Sequence, residues 1–502
     1  MACSAFLTPF TAKVGAGMGR SMRRCSPHLQ VPAPRRFSST PIAAILARDL
    51  AESDIAALKV NKGRLAKDLH HSCQWGTGLR WGDGPNDTGM ARLALSKSDK
   101  QARDWFVETA KSLNCNVSID EMGNIFAVRP GRNKNVPATF AGSHLDTQPA
   151  GGRYDGILGI CAGLEMLKVL EEKQIETEGG VGVVNWTNEE GARFPISMSC
   201  SGVWSGNIPV EKAQSLKEVP TIASSLSASS APETMKSALE KIGYLGSIPC
   251  SYKSSPMAAH FELHIEQGPH LVSAGQRVGI VTGVQAYRWY TIDVVGRDTH
   301  TGTTAFEHRA DALYASAKMM VRAREVAMKY KCLASVGIID ARPGSVNTVP
   351  GNVKFALDVR GLEDQAVLAC EAELKKEFDA IAAEEGSGIR KPCRAEWTLD
   401  FDSPAVKFHE DCIQCVGESA VAVVANDNSS ARSPDSLVRK IGSGAGHDTV
   451  FASKRVPASM IFVPCRDGVS HHPEEFCSEE DCATGASVLL QAVVRYDRKR
   501  TF

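Results

Sequence analysis

Imidazole and carboxylate side chains closely follow several apolar runs in this sequence. The segment GSHLDTQPAGGRYDG (142–156) contributes one His and two Asp, and NWTNEEG (185–191) contributes two adjacent Glu. Imidazole together with carboxylate is the ligand chemistry of Zn²⁺ and related divalent cations. An acidic pair with one residue on the metal and one left over supplies both a site and a general base. The sequence therefore predicts a metal-dependent hydrolase.

The candidate metal ligands form a set rather than one local motif. Two metal ions that share one carboxylate need about five protein ligands, with positions left for water and substrate. Five residues of suitable type stand at the end of a predicted strand or the start of a turn: His144, Asp155, Glu190, His264 and His471. Any one of these histidines alone could be an ordinary hydrogen-bonded residue, so the set carries the prediction. His472 is an alternative to its neighbour His471 that spacing does not decide.

Two further carboxylates are predicted to act beside the metal ions. Asp146 lies two residues after His144, which suits a carboxylate that fixes the tautomer of a ligating imidazole. Glu189 and Glu190 would point in opposite directions on an extended strand, but a turn at the strand end relaxes that rule. One of them can then bind metal while the other faces the bound water. Nearby cations would lower the pKa of that free carboxylate, whereas burial would raise it.

The elements that must position these residues follow an α/β pattern. VPATFAGSH (136–144) predicts a buried strand, and DGILGICAGLEMLKVLEEKQ (155–174) predicts an amphipathic helix with Asp155 at or near its N-cap. GGVGVVNWTNEEG (179–191) returns to a strand. This strand–helix–strand order is a parallel crossover unit, and ligand sites in such sheets lie beyond the carboxyl ends of the strands. We therefore expect an α/β catalytic domain with a mixed, largely parallel sheet.

The chain length of 502 residues favours two domains. Period-two segments RWYTIDVVG and NVKFALDVRG flank a helical segment, so residues 286–401 are predicted to form an inserted α+β domain. The catalytic metal-binding domain would then comprise residues 49–285 and 402–502. Outside the crossover unit, helices are expected over 52–65, 96–113 and 405–420, and a strand over 458–464.

The first 48 residues differ from the rest in charge. They contain no acidic residue but seven Lys and Arg, with Ser, Thr and Ala filling much of the remainder. That composition is typical of a mitochondrial presequence, so residues 1–48 are predicted to be a targeting segment, with a disordered basic tail as the alternative. The expected location is the mitochondrial matrix, with the cytoplasm as second choice.

The body of the chain argues against two classes of partner. Removing those seven residues from the 57 Lys and Arg leaves 50 against 57 Asp and Glu, a mildly acidic balance that does not suit nucleic acid. No apolar run reaches the roughly 18 residues that a membrane span needs. Fifteen Cys without framework spacing favour reduced thiols in a non-secreted protein.

The motifs together resemble the zinc-dependent aminoacylase-like metallopeptidase family, in particular its N-carbamoyl-L-amino-acid hydrolase and β-ureidopropionase branch. The resemblance covers roughly residues 60 to 500, in the motifs GSHLDTQPAGGRYDG, NEEGARF, ELHIEQGP, GRDTHTG, NTVPG, DVRG, SGAGHD and SHHPEE. It implies a dizinc exopeptidase-like catalytic domain and an inserted lid and dimerisation domain. It also implies two divalent metal ions per subunit, Zn²⁺ ahead of Mn²⁺, Co²⁺ or Ni²⁺.

The resemblance also assigns roles to the residues that match the family's motifs. Asp155 becomes the bridging ligand, with His144 and His471 completing one metal site and Glu190 and His264 the other. Glu189 falls on the family's general base.

The resemblance assigns substrate contacts in the same way. Arg360 would clamp the substrate carboxylate, and His300 would be donated by the lid domain of a neighbouring subunit to stabilise the oxyanion, which implies a homodimer. The remaining predicted contacts with the substrate or pocket are Gln267, Asn347, the Gly446 backbone and His447. From the residues alone, Arg360 could instead be a surface charge, and the loop GSGAGHD could be a tight turn without a ligand.

The implied reaction cleaves the carbamoyl group of an N-carbamoyl amino acid to give the free amino acid, CO₂ and ammonia. The sequence does not choose between α- and β-carbamoyl substrates. Allantoate amidohydrolase is the sibling alternative, although TQPAGGRYDG is more similar to the carbamoylase version. Aminoacylases and dipeptidases lack the HIEQGP and GAGHD pattern. A metal-binding scaffold without catalysis would be expected to show a damaged Glu189 or ligand, and none is visible.

Overall fold

A computed structural model describes residues 45–219, 232–427 and 432–500. The predicted targeting segment, residues 1–48, lies almost wholly outside the described residues and stays a prediction. The predicted catalytic domain, residues 49–285 and 402–502, is described except for residues 220–231, 428–431 and 501–502, and the predicted insertion, residues 286–401, is described throughout.

The described residues contain strands that are numbered here in chain order. They are β1 (Ile45–Leu46), β2 (Thr77–Arg80), β3 (Thr88–Met90), β4 (Asn116–Ile119), β5 (Ile125–Arg129), β6 (Ala138–His144), β7 (Ile175–Glu176), β8 (Val181–Trp186), β9 (Met257–Ile265), β10 (Val278–Val284), β11 (Ala286–Val295), β12 (Thr299–His300), β13 (Leu333–Arg342), β14 (Thr348–Val349), β15 (Asn352–Gly361), β16 (Arg394–Ser403), β17 (Val406–Lys407), β18 (Val438–Ser443) and β19 (Ala458–Val463).

The described residues also contain fourteen α-helices. They are Glu52–Ala56, Lys62–Ser72, Lys97–Ser112, Ile157–Glu172, Ser199–Trp204, Val210–Gln214, Met235–Ile242, His270–Ala274, Ala312–Lys329, Asp364–Glu384, Glu410–Ala425, Pro434–Leu437, Asp448–Ala452 and Glu479–Lys499. None of the helices in these ranges combines the length and the apolar character needed to cross a membrane.

The largest sheet has nine strands in the order β17-β10-β19-β9-β6-β8-β5-β4, with β18 also paired to β10. Its centre is parallel, because β19 pairs with β9, β9 with β6, and β6 with β8 in the parallel sense. The flanking strands β4, β5 and β10 add antiparallel pairs. The predicted α/β fold class with a mixed sheet and a parallel centre is confirmed.

The central strands are buried on both faces, which explains why their sequences are almost continuously apolar. Every residue of β6 is buried, and so is every residue of β8 and β19. The helices Ile157–Glu172 and Glu479–Lys499 pack against these strands and against each other. The carboxyl ends of the four parallel strands therefore meet at one rigid, well-supported edge, which is where a ligand site is expected.

Residues 286–403 build a second, smaller sheet with the strand order β13-β15-β11-β16, all antiparallel. The helices Ala312–Lys329 and Asp364–Glu384 pack on one face of it. This sheet and its helices have a hydrophobic core of their own, which includes Ile292, Phe355 and Phe378. The range is close to the predicted insertion 286–401, although the division into domains stays a prediction.

Two predicted helices have different bounds in the structure. The predicted helix 52–65 is two helices, because the Asn61 side chain accepts a hydrogen bond from the backbone N–H of Arg64 and so starts the second one. The predicted helix 405–420 begins at Glu410 instead. Residues 406–407 are strand β17, which pairs with β10. Local apolar periodicity cannot reveal either event.

Candidate active site

Asp155 lies at the centre of the predicted ligand set. Its Oδ1 is 3.1 Å from Nε2 of His264 and 3.4 Å from Nε2 of His144. Its Oδ2 is 3.3 Å from Nε2 of His471. The three predicted imidazoles, which are more than 300 residues apart at the extremes of the sequence, thus converge on one carboxylate. This is the geometry that a shared, bridging ligand requires.

The ligand atoms fall into two groups that share Asp155. One group is His144, Asp155 and His264, and the other is Asp155, Glu190 and His471. The predicted pairing of His144 with His471 and of Glu190 with His264 is therefore wrong. Strands β6 and β9 are neighbours, so the residues at their ends, His144 and His264, face the same oxygen of Asp155.

The donor set fits two divalent cations. Within each group the ligand atoms lie within 4.8 Å of one another, and the contacts of Asp155 with the three imidazoles and of Glu190 with His471 range from 3.1 Å to 3.4 Å. Bonds of about 2.1 Å at a tetrahedral centre place ligand atoms about 3.4 Å apart. Each group offers imidazole nitrogen and carboxylate oxygen, which suits Zn²⁺ and its neighbours.

Two of the imidazoles are fixed from behind by backbone carbonyl groups. Nδ1 of His144 donates to the carbonyl oxygen of Asp146 at 2.8 Å, and Nδ1 of His264 donates to that of Ile265 at 2.8 Å. The other nitrogen, Nε2, then faces Asp155 and is the atom that can bind a cation. The carboxylate of Asp146 was predicted to fix the His144 ring. The backbone carbonyl oxygen of Asp146 makes that contact instead, so the predicted residue is right but the predicted group is wrong.

The Asp146 carboxylate instead supports the acidic pair. Its two oxygens accept hydrogen bonds from the backbone N–H groups of Glu189 at 3.4 Å and Glu190 at 3.3 Å. Asp146 follows β6 and the pair follows β8, the parallel neighbour of β6. The side chain thus ties together the two strand ends that carry His144 and the glutamates.

The two glutamates differ in how they are held. Glu190 accepts hydrogen bonds from Gln148, from its backbone N–H at 3.1 Å and from its side-chain Nε2 at 2.7 Å. The Glu189 carboxylate lies 3.6 Å from Nε2 of His144 and, within the described ranges, accepts no hydrogen bond. Burial raises the pKa of Glu189 well above its usual value, although His144 opposes the shift. Glu190 is thus held in place within its ligand group, whereas the Glu189 carboxylate is not held by a hydrogen bond from the described residues.

Protons occupy part of the ligand set in the absence of a cation. Burial and the negative charge of Asp155 raise the pKa of Glu190 to about 7. The hydrogen bond to Asp155 raises the pKa of His471 to about 9. Burial alone would raise the pKa of Asp155, but the imidazoles of His264, His144 and His471 hold it well below its usual value. A cation would therefore displace protons from these groups.

The site opens into a cavity of about 230 Å³. Four of the five predicted ligands line it, Asp155, Glu190, His264 and His471, together with Glu189, and His144 lies behind Asp155 and Glu189. Tyr287, Trp289 and Met198 also line it. Four residues predicted to contact the substrate or pocket also line it: Gln267, Arg360, Gly446 and His447. The structure thus brings four of the five predicted metal ligands, the predicted base and most predicted substrate contacts to one cavity, with His144 in contact with Asp155 and Glu189.

Arg360 stands at the end of β15 with its guanidinium partly committed. Its Nε and Nη2 donate to the Asp358 carboxylate at 3.0 Å and 2.8 Å, and its Nη1 donates to the Gly444 carbonyl oxygen at 3.1 Å. Of the five N–H groups of a guanidinium, one then remains on each terminal nitrogen. That pair is a fork suited to a carboxylate.

Gln267 and His447 complete the polar wall of the cavity. The Gln267 Nε2 donates to Oδ2 of Asp155 at 2.8 Å, and its buried Oε1 has no partner among the described residues. Burial and the neighbouring His264 lower the pKa of His447 well below its usual value, so the ring is neutral. Its Nε2 lies 3.0 Å from the Ser443 hydroxyl.

His300 and Asn347 do not line this cavity in their own chain. Both are exposed: His300 ends β12 and Asn347 immediately precedes β14, the partner strand of β12, and the N–H of Thr301 donates to the Asn347 carbonyl oxygen at 3.0 Å. The predicted substrate contact of Asn347 is therefore not made within one subunit. Nδ1 of His300 accepts from the N–H of Gly302 at 3.1 Å, so the neutral ring carries its proton on Nε2.

The remaining histidines near the site serve the fold. Nδ1 of His472 accepts from the N–H of Glu474 at 3.2 Å, and this residue belongs to neither ligand group. His260 is buried beneath the site, where burial lowers its pKa to about 3. Its Nε2 accepts a hydrogen bond from Trp186 Nε1 at 3.2 Å, and its Nδ1 lies 3.1 Å from the Thr449 hydroxyl oxygen. The structure thus selects His471 over His472.

Sequence reasoning missed Glu475, a buried residue that supports Asp155. Its Oε1 accepts from the backbone N–H groups of Tyr154 at 2.9 Å and Asp155 at 3.0 Å. The Ser470 hydroxyl contacts Oε2 of Glu475 at 2.8 Å and Oδ2 of Asp155 at 3.1 Å. The available signal was a carboxylate four residues after His471, in the quoted motif SHHPEE.

Residues 140–495 match the sequence profile described as Peptidase family M20/M25/M40. The chain is 33% identical over 440 residues to an N-carbamoyl-L-amino-acid amidohydrolase of Rhizobium meliloti, across 87% of this chain and 96% of that protein. It is 31% identical over 415 residues to an allantoate amidohydrolase of Bacillus subtilis, across 82% and 93%. A crystal structure of a hydantoinase/carbamoylase family amidase from Burkholderia multivorans is similar with a TM-score of 0.77 and 35% identity, across 89% of this chain and 100% of that chain.

Proposed function

This chain belongs to Peptidase family M20/M25/M40 and is a hydrolase of C–N bonds, and we propose that it removes the carbamoyl group from N-carbamoyl amino acids. The observation that supports this most is the free, buried Glu189 beside two ligand groups that share Asp155. A carbamoylase of 33% identity supports the choice of substrate class. The predicted family resemblance and enzyme class are confirmed.

The five ligands would hold two divalent cations, with Zn²⁺ as our first choice and Mn²⁺, Co²⁺ or Ni²⁺ as alternatives. When bound, the cations would polarise the carbamoyl carbonyl group and acidify a water molecule. The order of preference rests on the ligand mixture of imidazole and carboxylate, which all four metals accept.

Arg360 orients the substrate by its carboxylate. The two N–H groups left on its terminal nitrogens form the fork that binds both oxygens. Gln267 and the Gly446 backbone line the same cavity and contact the ureido group. His447, held neutral by burial, adds no charge that would compete for the substrate carboxylate. The substrate is thus held at its acidic end while its carbamoyl carbon faces Glu189.

Glu189 moves the proton. Its carboxylate takes a proton from the water molecule that adds to the carbamoyl carbon. It then delivers that proton to the amino-acid nitrogen as the C–N bond breaks. The free amino acid leaves, and the carbamic acid that remains decomposes to CO₂ and ammonia. A buried carboxylate with a raised pKa is suited to both halves of this transfer.

His300 acts from a neighbouring subunit in this proposal. It is exposed, it does not line the cavity of its own chain, and because its Nδ1 accepts a hydrogen bond, Nε2 is the nitrogen that can donate one. Asn347 lies beside it, immediately before β14, so a subunit that supplies one residue supplies both. This arrangement suits a homodimer in which the inserted domain of each subunit contributes His300 and Asn347 to the partner's cavity.

Allantoate hydrolysis is the second candidate. A relative named allantoate amidohydrolase is 31% identical, against 33% for the carbamoylase, so overall identity hardly separates the two activities. Allantoate also carries a carboxylate for Arg360 and a ureido carbonyl group for attack. The choice therefore depends on the shape of the cavity wall formed by Tyr287, Trp289 and Met198.

Ammonia release in parallel from four substrate classes tests the function. Metal-reconstituted protein is given N-carbamoyl-β-alanine, N-carbamoyl-L-α-amino acids, allantoate and dipeptides, with amino-acid release measured alongside. We expect turnover of carbamoyl amino acids and none of dipeptides. Cleavage of dipeptides alone would contradict the proposal, and metal binding without any turnover would indicate a scaffold.

Mitochondrial location stays a prediction from the composition of residues 1–48. The relatives named above come from bacteria, which have no mitochondria, so they argue against import as a property of the family. Cell fractionation that locates the full-length chain, together with N-terminal sequencing of the protein recovered from mitochondria, would test whether residues 1–48 act as a presequence.

A further inference from the structure

A second cavity, of about 900 Å³, adjoins the catalytic one. Gln267, Arg360 and Ala445 line both cavities, so the two spaces meet at the residue proposed to bind the substrate carboxylate. The second cavity is formed where β13 and β15 of the smaller sheet approach β18 of the larger one. Nothing in the proposed chemistry uses this space.

Positive charge dominates the lining of this second cavity. Four Lys and Arg residues line it against two carboxylates, and both carboxylates are already engaged. Glu266 accepts hydrogen bonds from the backbone N–H groups of His270 and Leu271, each at 2.8 Å. Asp358 is paired with Arg360. The cations other than Arg360 therefore have no counter-charge within the lining.

Those three cations are Lys331, Arg439 and Lys440. All are exposed, and within the described part of the chain none has a carboxylate within the 4.0 Å of an ion pair. Lys331 immediately precedes β13, whereas Arg439 and Lys440 lie on β18, so the fold rather than the sequence gathers them.

Several other lysines and arginines of the smaller sheet region are paired. Lys318 pairs with Glu384 at 3.3 Å, Arg322 with Glu325 at 2.8 Å, and Lys354 with Asp293 at 3.0 Å. Elsewhere in the described residues other exposed cations, such as Arg324 and Lys376, also lack a carboxylate partner, so the convergence of three cations on one cavity is what distinguishes this place. Three like charges around one space repel one another and contribute nothing to the stability of the fold.

We propose that this cavity is an anion-binding vestibule, in which Lys331, Arg439 and Lys440 collect small carboxylate ligands beside Arg360. The inference rests on the proposed function, because every N-carbamoyl amino acid carries at least one carboxylate. A cleft lined by one sign of charge raises the local concentration of the opposite ion and can speed association about 10- to 1000-fold. Ureido acids with a second carboxylate gain the most.

The test compares two triple variants that remove the same charge. K331Q/R439Q/K440Q removes the vestibule cations while keeping part of each side-chain stem. K111Q/K173Q/K236Q removes three exposed lysines that line neither cavity and form no ion pair within the described ranges. Both variants should unfold at temperatures no lower than the wild-type protein, because neither removes a paired charge.

Kinetics with substrates of increasing charge provide the first measurement. We use the neutral amide of N-carbamoyl-β-alanine, N-carbamoyl-β-alanine itself and N-carbamoyl-L-aspartate, between low and high NaCl. In the vestibule variant kcat/KM should fall about tenfold for the monoanion and further for the dianion, with kcat unchanged. The neutral amide should be unaffected, and the difference should shrink with salt because screening removes it.

Binding of succinate, followed by calorimetry on the metal-loaded protein, provides the second measurement. Succinate should bind the wild type and the control variant more tightly than the vestibule variant. Equal succinate binding and equal kcat/KM in all three proteins would overturn the vestibule. If no ureido acid is hydrolysed but succinate binding is lost in the vestibule variant, the proposed substrate fails while the anion site stands.

Discussion

Glu189 and Glu190 have the same side chain, yet their surroundings give them different roles. The carboxylate of Glu190 is held by Gln148 and faces His471 at 3.4 Å. That of Glu189 accepts no hydrogen bond within the described ranges and lies against His144. At a strand end two consecutive side chains can reach the same cavity, so one becomes a ligand and its neighbour stays free to carry a proton.

The pair can be separated by matched substitutions. Glu189→Gln should keep two metal ions per chain and lose turnover by about 100- to 10 000-fold, the usual contribution of a general base. Glu190→Gln should lose one metal ion, because an amide is a weaker ligand than a carboxylate. Metal content by mass spectrometry and kcat for ammonia release distinguish the two. Full activity of Glu189→Gln would remove the proposed base.

Metal binding should depend on pH in a defined direction. In the metal-free protein the pKa of His471 is raised to about 9 and that of Glu190 to about 7, so both carry protons at lower pH. A cation needs both groups unprotonated, so its affinity should rise from pH 6 to pH 9 and its binding should release protons at pH 7.

Calorimetry in buffers with different heats of ionisation counts those protons. A release that declines as the pH rises through about 9 is the expected result, since His471 loses its own proton over that range before the cation arrives. His471→Ala should release fewer protons at pH 7 than the wild type. Affinity that is the same at pH 6 and pH 9 would contradict the assigned ligands.

At the scale of elements, the turn between Asp155 and its helix decides whether the imidazole of His144 fits. Gly156 adopts φ +66°, directly before the helix Ile157–Glu172. A Cβ at this position would lie 2.4 Å from the His144 ring. Gly156 therefore permits both an unusual backbone conformation and the close approach of a metal ligand.

A matched glycine separates these two effects. Gly243 ends the helix Met235–Ile242 with φ +76°, and a Cβ there would meet no atom within 4 Å. Both Gly156→Ala and Gly243→Ala should destabilise the fold by about 1–3 kcal/mol, because Ala is strained at positive φ. Only Gly156→Ala should also lose metal, because the added methyl group displaces His144. Urea unfolding and metal content are the two measurements, and equal metal content in both variants would refute the role of the contact.

The strand ends were predictable from the sequence, but the order of the strands in the sheet was not. A buried apolar run that stops at His144, or just before Glu189, identifies a strand end and its chemistry. The grouping of ligands depends on which strands are neighbours in the sheet. β6 lies between β8 and β9 there, although both of those strands follow β6 in the chain. The pairing of His144 with His264 follows only from that order. Glu475 stayed unrecognised because its partners are backbone N–H groups, which carry no sequence signal.

At the scale of the whole molecule, two residues predicted to contact the substrate lie outside the cavity of a single chain. His300 ends β12 and Asn347 immediately precedes β14, and both are exposed. The resemblance to known hydrolases implied that His300 acts on a neighbouring subunit, and the position of Asn347 extends that expectation to a second residue. A monomer would then bind metal normally but hydrolyse its substrate poorly.

Mixing two inactive variants tests this exchange. Glu189→Gln lacks the base and His300→Ala lacks the donated group, so each homodimer should be nearly inactive. A heterodimer has one cavity with both residues intact, and random mixing should restore about one quarter of wild-type activity. The measurement is ammonia release after the mixed proteins are unfolded and refolded together. No recovery, with heterodimers shown to form, would place His300 in its own subunit's cavity.

The order of the large sheet also bears on when the enzyme can acquire its cations. The last ligand, His471, follows β19, and β19 sits between β9 and β10, strands that were synthesised about 180 residues earlier. A chain emerging from the ribosome thus carries four of its ligands long before the fifth exists. If the five residues hold two cations as proposed, capture of both would await nearly complete translation, and a chain terminated before His471 would lack one ligand of the second group.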